Sequence, residues 1–339
     1  MSGKVVGSGP EKSGMTDPAG TTSNSRKAWW PWLKRALALL FFAGVAWLLF
    51  EQAQAIDWRE VWSTLRGYPR ASLLGAAALA ATSLLLYSCF DLLGRHYTGH
   101  RLRAPSVMLV TFTSYVLNLN LGSLVGGVAL RYRLYSRLRL PLGVITRVIT
   151  ISMLTNWMGY LLLGGFVFSF FTPGLPPTWK ISSGGLQILG FALLAIGAAY
   201  LALCTFSPRR SFMLRGHKLT LPSGQLALLQ VSLGALNWMI MGGVVFVLLQ
   251  QAIAYPAVLS VLLVAAVAGV ITHVPAGLGV LEAVFVALLS HQLPQHELLA
   301  GLVAYRVIYY LAPLLLAALA LLLMEMKAKA KAMADPAQA

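Results

Sequence analysis

Eight long apolar runs decide what this chain of 339 residues can fold into. They cover residues 36–50, 71–93, 105–130, 148–171, 186–206, 224–250, 257–289 and 298–324. A run of about 18 or more apolar residues can cross the roughly 30 Å hydrocarbon core of a membrane as a helix. Because only 11% of the residues are charged and 58% are hydrophobic, an ordinary soluble domain is excluded. We therefore predict an all-α polytopic membrane protein.

The polar segments of the chain lie mainly at its two ends. Residues 1–27 contain too few large apolar side chains to fold, which predicts a disordered cytoplasmic tail. Residues 28–326 are predicted to form a single transmembrane domain, followed by a cytoplasmic tail over 327–339. For the first run, a cleavable signal peptide ending near Ala53-Gln54-Ala55 is the alternative to a transmembrane helix.

The distribution of Lys and Arg predicts how the runs cross the membrane. The net charge is +16, which in a soluble chain would suggest nucleic acid but in a membrane protein reports topology, since positive loops stay cytoplasmic. Eight alternating crossings would put 13 of the 26 positive residues inside and 12 outside. If 105–130 and 257–290 instead return to the side they came from, 21 lie inside and 4 outside. We predict six full transmembrane helices, two opposed re-entrant hairpins and cytoplasmic termini, with no nucleic-acid partner.

Both predicted hairpins contain residues that loosen or break helices. These residues are Gly122, Gly126 and Gly127 in the first hairpin and Pro275, Gly277 and Gly279 in the second. Lipid offers no hydrogen-bond partners, so the broken backbone must be buried in protein or line a cavity. Units 71–171 and 224–324 then share the order helix, hairpin, helix in opposite orientations. Such an inverted repeat is typical of secondary transporters.

Arg306 is the first candidate site residue, because it lies eight residues into its apolar run. A charge near the centre of a membrane helix costs about 2.5–3.5 kcal/mol on insertion scales, so it needs an anion. Glu282 is the nearest candidate in the same unit. Either Arg306 receives a lipid phosphate, while Glu282 holds Arg306 between binding events or binds a cationic group, or the two form a permanent structural pair. The sequence leaves both readings open.

A cluster of arginines follows the first hairpin and begins with Arg131 and Arg133. The guanidinium fork suits phosphate oxygens, and basic pockets at the cytoplasmic side suit anionic lipid headgroups. Arg131 is the strongest candidate because it is closest to the helix break. The alternative is that the cluster only determines topology. Asp91, near the cytoplasmic end of its run and followed by Arg95, could simply reach the membrane surface.

Several other polar residues fall within the apolar runs. The amides are Asn118, Asn120, Asn156 and Asn237, which either line a hydrophilic path or hydrogen-bond between helices. His273, next to a proline, either carries a proton or caps loosened backbone.

An intramembrane hydrolase is the rival from another functional class. Ser123 and His273 occupy the two breaks and could meet as nucleophile and base. The sequence around Ser123 is not a G-x-S-x-G elbow, and no Asp lies near His273 to orient it. The sequence also contains no P-loop and no metal-ligand cluster. We therefore expect no enzymatic activity, no cofactor and no metal.

Three stretches resemble a known family. Residues 274–283 (VPAGLGVLEA), Ala304-Tyr305-Arg306, and Gly126-Gly127 followed by Arg131-Tyr132-Arg133 are similar to the lysylphosphatidylglycerol synthase transmembrane-region family. The similarity extends from about Trp32 to the end of the last run and is greatest for a group of bacterial inner membrane proteins. Ala276 departs from the family pattern, where many members have a second glycine.

The resemblance implies a lipid flippase, because this region moves aminoacylated phosphatidylglycerol between leaflets in multiple peptide resistance factors. Those proteins carry their aminoacyl-transferring half as a separate soluble domain, for which this chain has no room. The predicted function is movement of a phospholipid or related amphiphile across the bacterial inner membrane, with anionic membrane lipids as partners. A non-transporting membrane scaffold and a small-solute secondary transporter are the alternatives. Homo-oligomerisation is left open.

Overall fold

The structure, a computed structural model, describes residues 58–171, 183–208, 211–214, 217–272, 274 and 277–334. Within these residues the chain forms twelve α-helices, two π-helical segments and one β-hairpin of two four-residue strands. The predicted all-α fold class is confirmed, with this small β-hairpin as an unpredicted addition. The predicted tail 1–27, the first run 36–50, and His273 and Pro275 lie outside the described residues.

The first half of the described chain contains six helices. They are α1 (Trp58–Arg66), α2 (Arg70–Ser88), α3 (Phe90–Thr98), α4 (Ala104–Leu121), α5 (Leu130–Arg137) and α6 (Leu142–Phe170). A π-helical segment, Ser123–Ala129, connects α4 to α5. Together α2 and α3 form one nearly continuous helix of 29 residues.

The second half begins with α7 and a β-hairpin. Its elements are α7 (Ser183–Phe206), β1 (Ser211–Leu214), β2 (His217–Thr220), α8 (Gly224–Leu248), α9 (Tyr255–Thr272), α10 (Val280–Leu289), α11 (Gln295–Tyr305) and α12 (Ala312–Ala334). Strands β1 and β2 are antiparallel, with Ser211 opposite Thr220 and Leu214 opposite His217. A second π-helical segment, Arg306–Leu311, joins α11 to α12.

Six stretches of the described chain are long and apolar enough to cross a membrane. They are Arg70–Thr98, Leu142–Phe170, Ser183–Phe206, Gly224–Leu248, Tyr255–Thr272 and Gln295–Met326. Five of them coincide with predicted full spans. The remaining one is α9, the first arm of the second predicted hairpin. Because its 18 residues are by themselves sufficient for a crossing, the re-entrant path of this hairpin and the inverted repeat stay predictions.

The full-length helices pack through glycines at their crossings. A Cβ atom on Gly159 of α6 would lie 2.3 Å from the carbonyl carbon of Gly234 in α8. A Cβ on Gly94 of α3 would lie 2.8 Å from the Cα of Val148 in α6. Small residues let two backbones approach this closely, which gives membrane helices the packing contacts on which their association depends. Helices α3 and α8 thus both pack closely against α6.

The first predicted hairpin folds back on itself. Val107 and Val110 near the start of α4 share one buried cluster with Leu134 and Tyr135 near the end of α5. Between them, the turn begins at Gly122, whose φ of +87° favours glycine. The two arms therefore lie side by side, as a hairpin requires. Whether the hairpin enters and leaves a membrane on one side is a separate prediction.

The second predicted hairpin is formed by α9 and α10, which pack against each other. Val258 and Leu262 of α9 and Phe285 and Leu288 of α10 belong to the largest buried cluster among the described residues. The first arm also runs back along α8, since the hydroxyl of Tyr255 donates to the carbonyl of Met239 at 2.8 Å. The start of this arm, at the end away from the turn, is thereby held against α8.

Candidate functional site

A cavity of about 370 Å³ lies where the turns of the two hairpins meet. The first turn contributes Gly122 and Ser123 to its wall, and the second contributes Val274 and Gly277. The surrounding helices supply the other lining residues that bear on the chemistry, which are Tyr87, Tyr115, Asn118, Asn156, Trp157, Trp238, Tyr305 and Tyr310. The sequence predicted that broken backbone lines a cavity, and here both breaks line the same one.

The cavity combines polar groups with an apolar border. Asn118, Asn156 and Ser123 offer amide and hydroxyl groups, and the tyrosines offer further hydroxyls. At the border Trp157 is 42% exposed and Val270 is 51% exposed. Exposed apolar side chains of this kind on a membrane protein are suited to contact with lipid.

The predicted pair between Arg306 and Glu282 is present behind the wall of this cavity, next to its lining residues Leu281 and Tyr305, and neither side chain of the pair lines the cavity itself. The Nε of Arg306 donates to Oε1 of Glu282 at 2.9 Å, and its Nη2 donates to Oε2 at 3.3 Å. The same Nη2 donates to the carbonyl oxygen of Gly277 at 2.8 Å. Arg306 therefore joins its own helix to the second hairpin turn, through both the carboxylate and the backbone of that turn.

The guanidinium of Arg306 also stacks on a ring that lines the cavity. Its central carbon lies 4.8 Å from the ring centroid of Tyr310, within the range of a cation–π contact. Both residues belong to the π-helical segment Arg306–Leu311. The wider turn of a π-helix changes which side chains share a face, and such segments are frequent at functional sites. No residue pattern in the sequence predicts this segment.

A second ion pair, which the sequence analysis did not predict, joins α5, the second arm of the first hairpin, to α3. The Nε of Arg131 is 3.4 Å from Oδ2 of Asp91, and the two side chains are 3% and 0% exposed. The hydroxyl of Tyr135 donates to the same Oδ2 at 2.8 Å. Asp91 is therefore buried inside the protein, where its negative charge compensates a buried arginine, and is not simply exposed at a surface.

This pair also changes the interpretation of Arg131. Arg131, which was predicted to contact phosphate, does not line the central cavity. Its guanidinium is instead paired with the carboxylate of Asp91. Its guanidinium carbon lies 6.0 Å from the ring of Tyr87, which does line the cavity. In each ion pair the arginine thus lies next to one tyrosine that lines the cavity. Arg131 and Glu282 both follow a hairpin turn, so each pair ties the returning arm of a hairpin to a neighbouring helix.

Arg133 lies away from the cavity at the protein surface. Its Nη2 donates to Oε1 of Glu325 at 2.8 Å, and Nη1 of Arg137 donates to the same oxygen at 2.6 Å. The side chain of Arg133 is 59% exposed. The prediction that Arg133 binds substrate has no support in this geometry, which instead ties α5 to α12 by exposed charges.

Replacing Glu325 with Gln should have little effect on stability. Both arginines stay hydrated, so we expect the free energy of unfolding to fall by less than about 1 kcal/mol. Thermal unfolding in detergent at low and high salt checks this result, and the two proteins should converge at high salt. A large loss that salt does not change would contradict the surface character of this pair.

The predicted amides divide into two groups. Asn118 and Asn156 line the central cavity, whereas Asn237 is fully buried at the contact of α2 and α8. The hydroxyl of Ser83 donates to Oδ1 of Asn237 at 2.8 Å, so this amide joins helices. Asn120 does the same, since its Nδ2 donates to the carbonyls of Val116 at 2.8 Å and of Tyr310 at 3.4 Å.

The predicted break glycines also have different roles. Gly122 and Gly277 line the cavity, and no atom lies within 4 Å of a Cβ built on either. Gly126 instead packs on backbone, because its Cβ would lie 2.2 Å from the carbonyl carbon of Leu117. A Cβ on Gly127 would be 2.9 Å from Oδ1 of Asn118, and Gly279 is the N-cap of α10. The first two glycines open the cavity and the others hold the turns.

Residues that the sequence analysis missed are mainly aromatic. Tyr309 lies beside the cavity, and its hydroxyl is 2.7 Å from the hydroxyl of Ser83 and 3.3 Å from that of Tyr115. Tyr115 stacks on Tyr87 with ring centroids 3.4 Å apart. Tyrosine hydroxyls inside apolar runs were the available signal. Across the described ranges, no three His, Cys, Asp or Glu side chains converge to form a metal site.

Comparison with known proteins identifies relatives that cover most of the chain. Inner membrane protein YbhN of Escherichia coli is 48% identical over 289 residues, which make up 85% of this chain and 91% of that protein. Uncharacterized protein slr0712 of Synechocystis sp. is 33% identical over 78% of this chain and 83% of its own length. Phosphatidylglycerol lysyltransferase of Staphylococcus haemolyticus is 23% identical over 84% of this chain, but the match covers 33% of that protein.

The family-level comparison agrees with the resemblance noted in the sequence. The profile described as Lysylphosphatidylglycerol synthase TM region matches residues 35–317. This range contains both ion pairs and every described residue that lines the central cavity. The chain therefore belongs to the lysylphosphatidylglycerol synthase transmembrane-region family.

Proposed function

We propose that the protein moves a phospholipid between the leaflets of the bacterial inner membrane, binding the headgroup in the central cavity while the acyl chains stay in lipid. The observation that carries this proposal is the meeting of both hairpin turns at one cavity with a polar wall and an apolar, exposed border. A phospholipid needs such a combination, because its headgroup must cross the membrane while its chains remain in hydrocarbon.

The size of the cavity favours a headgroup as the bound part. Its volume of about 370 Å³ is near the lower end of small-molecule pockets, which span roughly 300–1,000 Å³. It has room for a phosphate and a small polar group but not for two acyl chains. Asn118, Asn156 and Ser123 would hydrogen-bond to the polar part of the headgroup.

Arg306 is the proposed phosphate ligand. Its contacts with Glu282 and with the carbonyl of Gly277 compensate its charge in the absence of lipid. A phosphate replaces both acceptors with stronger, bidentate ones. Binding would therefore release the second hairpin turn from Arg306, which couples occupancy of the cavity to movement of that turn.

The relatives support the membrane and the lipid class. One is named an inner membrane protein and another a phosphatidylglycerol lysyltransferase, so anionic phosphatidylglycerol is the first substrate to test. The positive-inside distribution of Lys and Arg supports cytoplasmic termini and the two re-entrant hairpins.

The rate of lipid exchange between leaflets, measured for wild-type protein and for Arg306→Leu, tests the proposal. Purified protein is reconstituted into vesicles that contain fluorescent phosphatidylglycerol, and chemical quenching of the outer leaflet reports exchange. We expect wild-type protein to catalyse exchange and Arg306→Leu to slow it by about tenfold or more, since it removes the charge-assisted phosphate contact. Arg133→Leu removes an arginine outside the cavity and serves as the matched control.

A second variant tests the cavity wall separately from the ion pair. Asn156→Leu fills part of the cavity without changing the ion pair, and it should also slow exchange. Bound lipid without exchange in the wild-type protein would favour a scaffold over a flippase. Exchange at wild-type rates in both Arg306→Leu and Asn156→Leu would contradict the proposed cavity.

A further inference from the structure

A second cavity, of about 420 Å³, lies at the end of α3. Leu92, Arg95, His96, Gly99, His100 and Arg101 line it, and we call it the basic pocket. None of these residues is acidic and none lines the central cavity. We propose that the basic pocket binds the phosphate of an anionic phospholipid in the adjacent leaflet. Binding there is independent of transport, and only its use as an entry site rests on the proposed function.

The pocket contains hydrogen-bond donors that have no acceptor among the described residues. The Nε of Arg95 and the Nε2 of His100 are both buried without a partner. The Nδ1 of His100 accepts a hydrogen bond from the backbone N–H of Leu102 at 3.4 Å, so in the neutral ring the hydrogen is on Nε2. Buried donors that lack acceptors cost free energy, and a phosphate oxygen would satisfy them.

The electrostatic environment of the pocket is positive. The acidic residue one turn before Arg95 is Asp91, which is paired with Arg131. Burial, and after it the charge of Arg95, lower the pKa of His100, while Asp91 acts in the opposite direction. Two of the basic residues, Arg95 and His96, lie in the last turn of α3 and also complement the helix dipole. The dipole does not account for His100 and Arg101, which follow the helix.

The position of the pocket favours a lipid phosphate over a free one. It lies at the end of the apolar helix Arg70–Thr98, where the chain changes from apolar to basic. Leu92 provides an apolar wall beside the charged residues. A ligand that carries a phosphate directly next to acyl chains fits this boundary, and basic pockets at the ends of membrane helices are suited to anionic headgroups.

One face of the long helix connects the two cavities. Tyr87 lines the central cavity, Arg95 lines the basic pocket, and Asp91 lies midway between them. Residues four apart share a helix face, and eight residues correspond to about 12 Å along the axis. The basic pocket is therefore placed as a docking point near the central cavity, and a headgroup moving between the two would have to pass around the buried Asp91–Arg131 pair.

Native mass spectrometry with Arg95→Gln/Arg101→Gln tests the pocket. The full-length protein is purified with dioleoylphosphatidylglycerol, and bound lipid is counted for each variant. We expect the double variant to bind about tenfold more weakly than wild type, since each basic residue near an anionic headgroup adds to the attraction. Arg103→Gln/Arg139→Gln changes the net charge equally outside the pocket and should bind like wild type. Equal binding by both double variants would overturn the proposal.

A photoactivatable phosphatidylglycerol analogue gives a readout on the unsubstituted protein. Crosslinks should map to residues 92–101 and should persist in excess phosphatidylcholine or inorganic phosphate. Their absence from this segment, or their loss on adding inorganic phosphate, would overturn a lipid site there. If vesicle assays show no exchange while these crosslinks form, the proposed translocation fails and the basic pocket stands. If exchange occurs without crosslinks in this segment, the basic-pocket proposal fails and the proposed translocation stands.

Discussion

Asp91→Asn is expected to lower the free energy of unfolding by about 3–5 kcal/mol, because it leaves the buried guanidinium of Arg131 without a counter-charge. The two side chains are 0% and 3% exposed, so water cannot replace the lost carboxylate. Arg131 would then have to remain charged in the interior or move to the surface. Moving it would pull α5 away from α3, since Tyr135 on the same helix also bonds to Asp91.

A double substitution separates the cost of an uncompensated charge from the value of the pair itself. In Asp91→Leu/Arg131→Met no buried charge is left, and such apolar replacements are often neutral or stabilising. We therefore expect the double variant to recover most of the stability lost in Asp91→Asn. Thermal unfolding in detergent measures both. Glu325→Gln, which removes the acidic partner of exposed arginines, is the control, and an equally small loss in Asp91→Asn would contradict the buried-pair interpretation.

The pairing of Arg306 with Glu282 could be predicted from the sequence, and the pairing of Asp91 with Arg131 could not. Arg306 lies deep in an apolar run, where an unpaired charge is too costly, and Glu282 was the available acid in its unit. Asp91 instead lies near the end of a helix, where a charge can reach water without a partner. Only the folding of α5 back along α4 buries it, and that contact depends on side-chain packing.

The backbone breaks were predictable for a similar reason, and the cavity wall was not. Glycine and proline change local conformation wherever they occur, so Gly122 and Gly277 were recognisable as turn residues. Tyrosines such as Tyr87 and Tyr310 are apolar enough to be counted within a hydrophobic run. Which of these tyrosines face a cavity depends on how each helix is rotated about its axis. For Tyr310 it also depends on a π-helical segment, which no residue pattern predicts.

Gly159→Leu is expected to prevent the normal association of α6 and α8. Here a side chain would meet the backbone of Gly234, with a Cβ only 2.3 Å from its carbonyl carbon. Overpacking against side chains usually costs about 1–3 kcal/mol, because they can move aside. The backbone of a helix cannot move without its neighbours, so we expect a loss above about 3 kcal/mol and little folded protein.

Gly143→Leu is the matched control on the same helix. A Cβ at Gly143 meets nothing within 4 Å, so this variant gains helix propensity without a clash. Yield of monodisperse protein and thermal unfolding should be near wild type for Gly143→Leu and strongly reduced for Gly159→Leu. Equal behaviour of the two would mean that α6 and α8 do not touch at Gly159.

The same crossing also sets the width of the central cavity. Asn156 and Trp157 precede Gly159 by less than one turn on α6, and Trp238 follows Gly234 by about one turn on α8. Gly159→Ala adds only the Cβ that meets the backbone of Gly234, so it should also destabilise the protein, but less than Gly159→Leu, and should move these walls apart in the molecules that fold. Lipid exchange per molecule of folded Gly159→Ala should then differ from wild type, which ties the close contact of two glycines to the geometry of the proposed headgroup site.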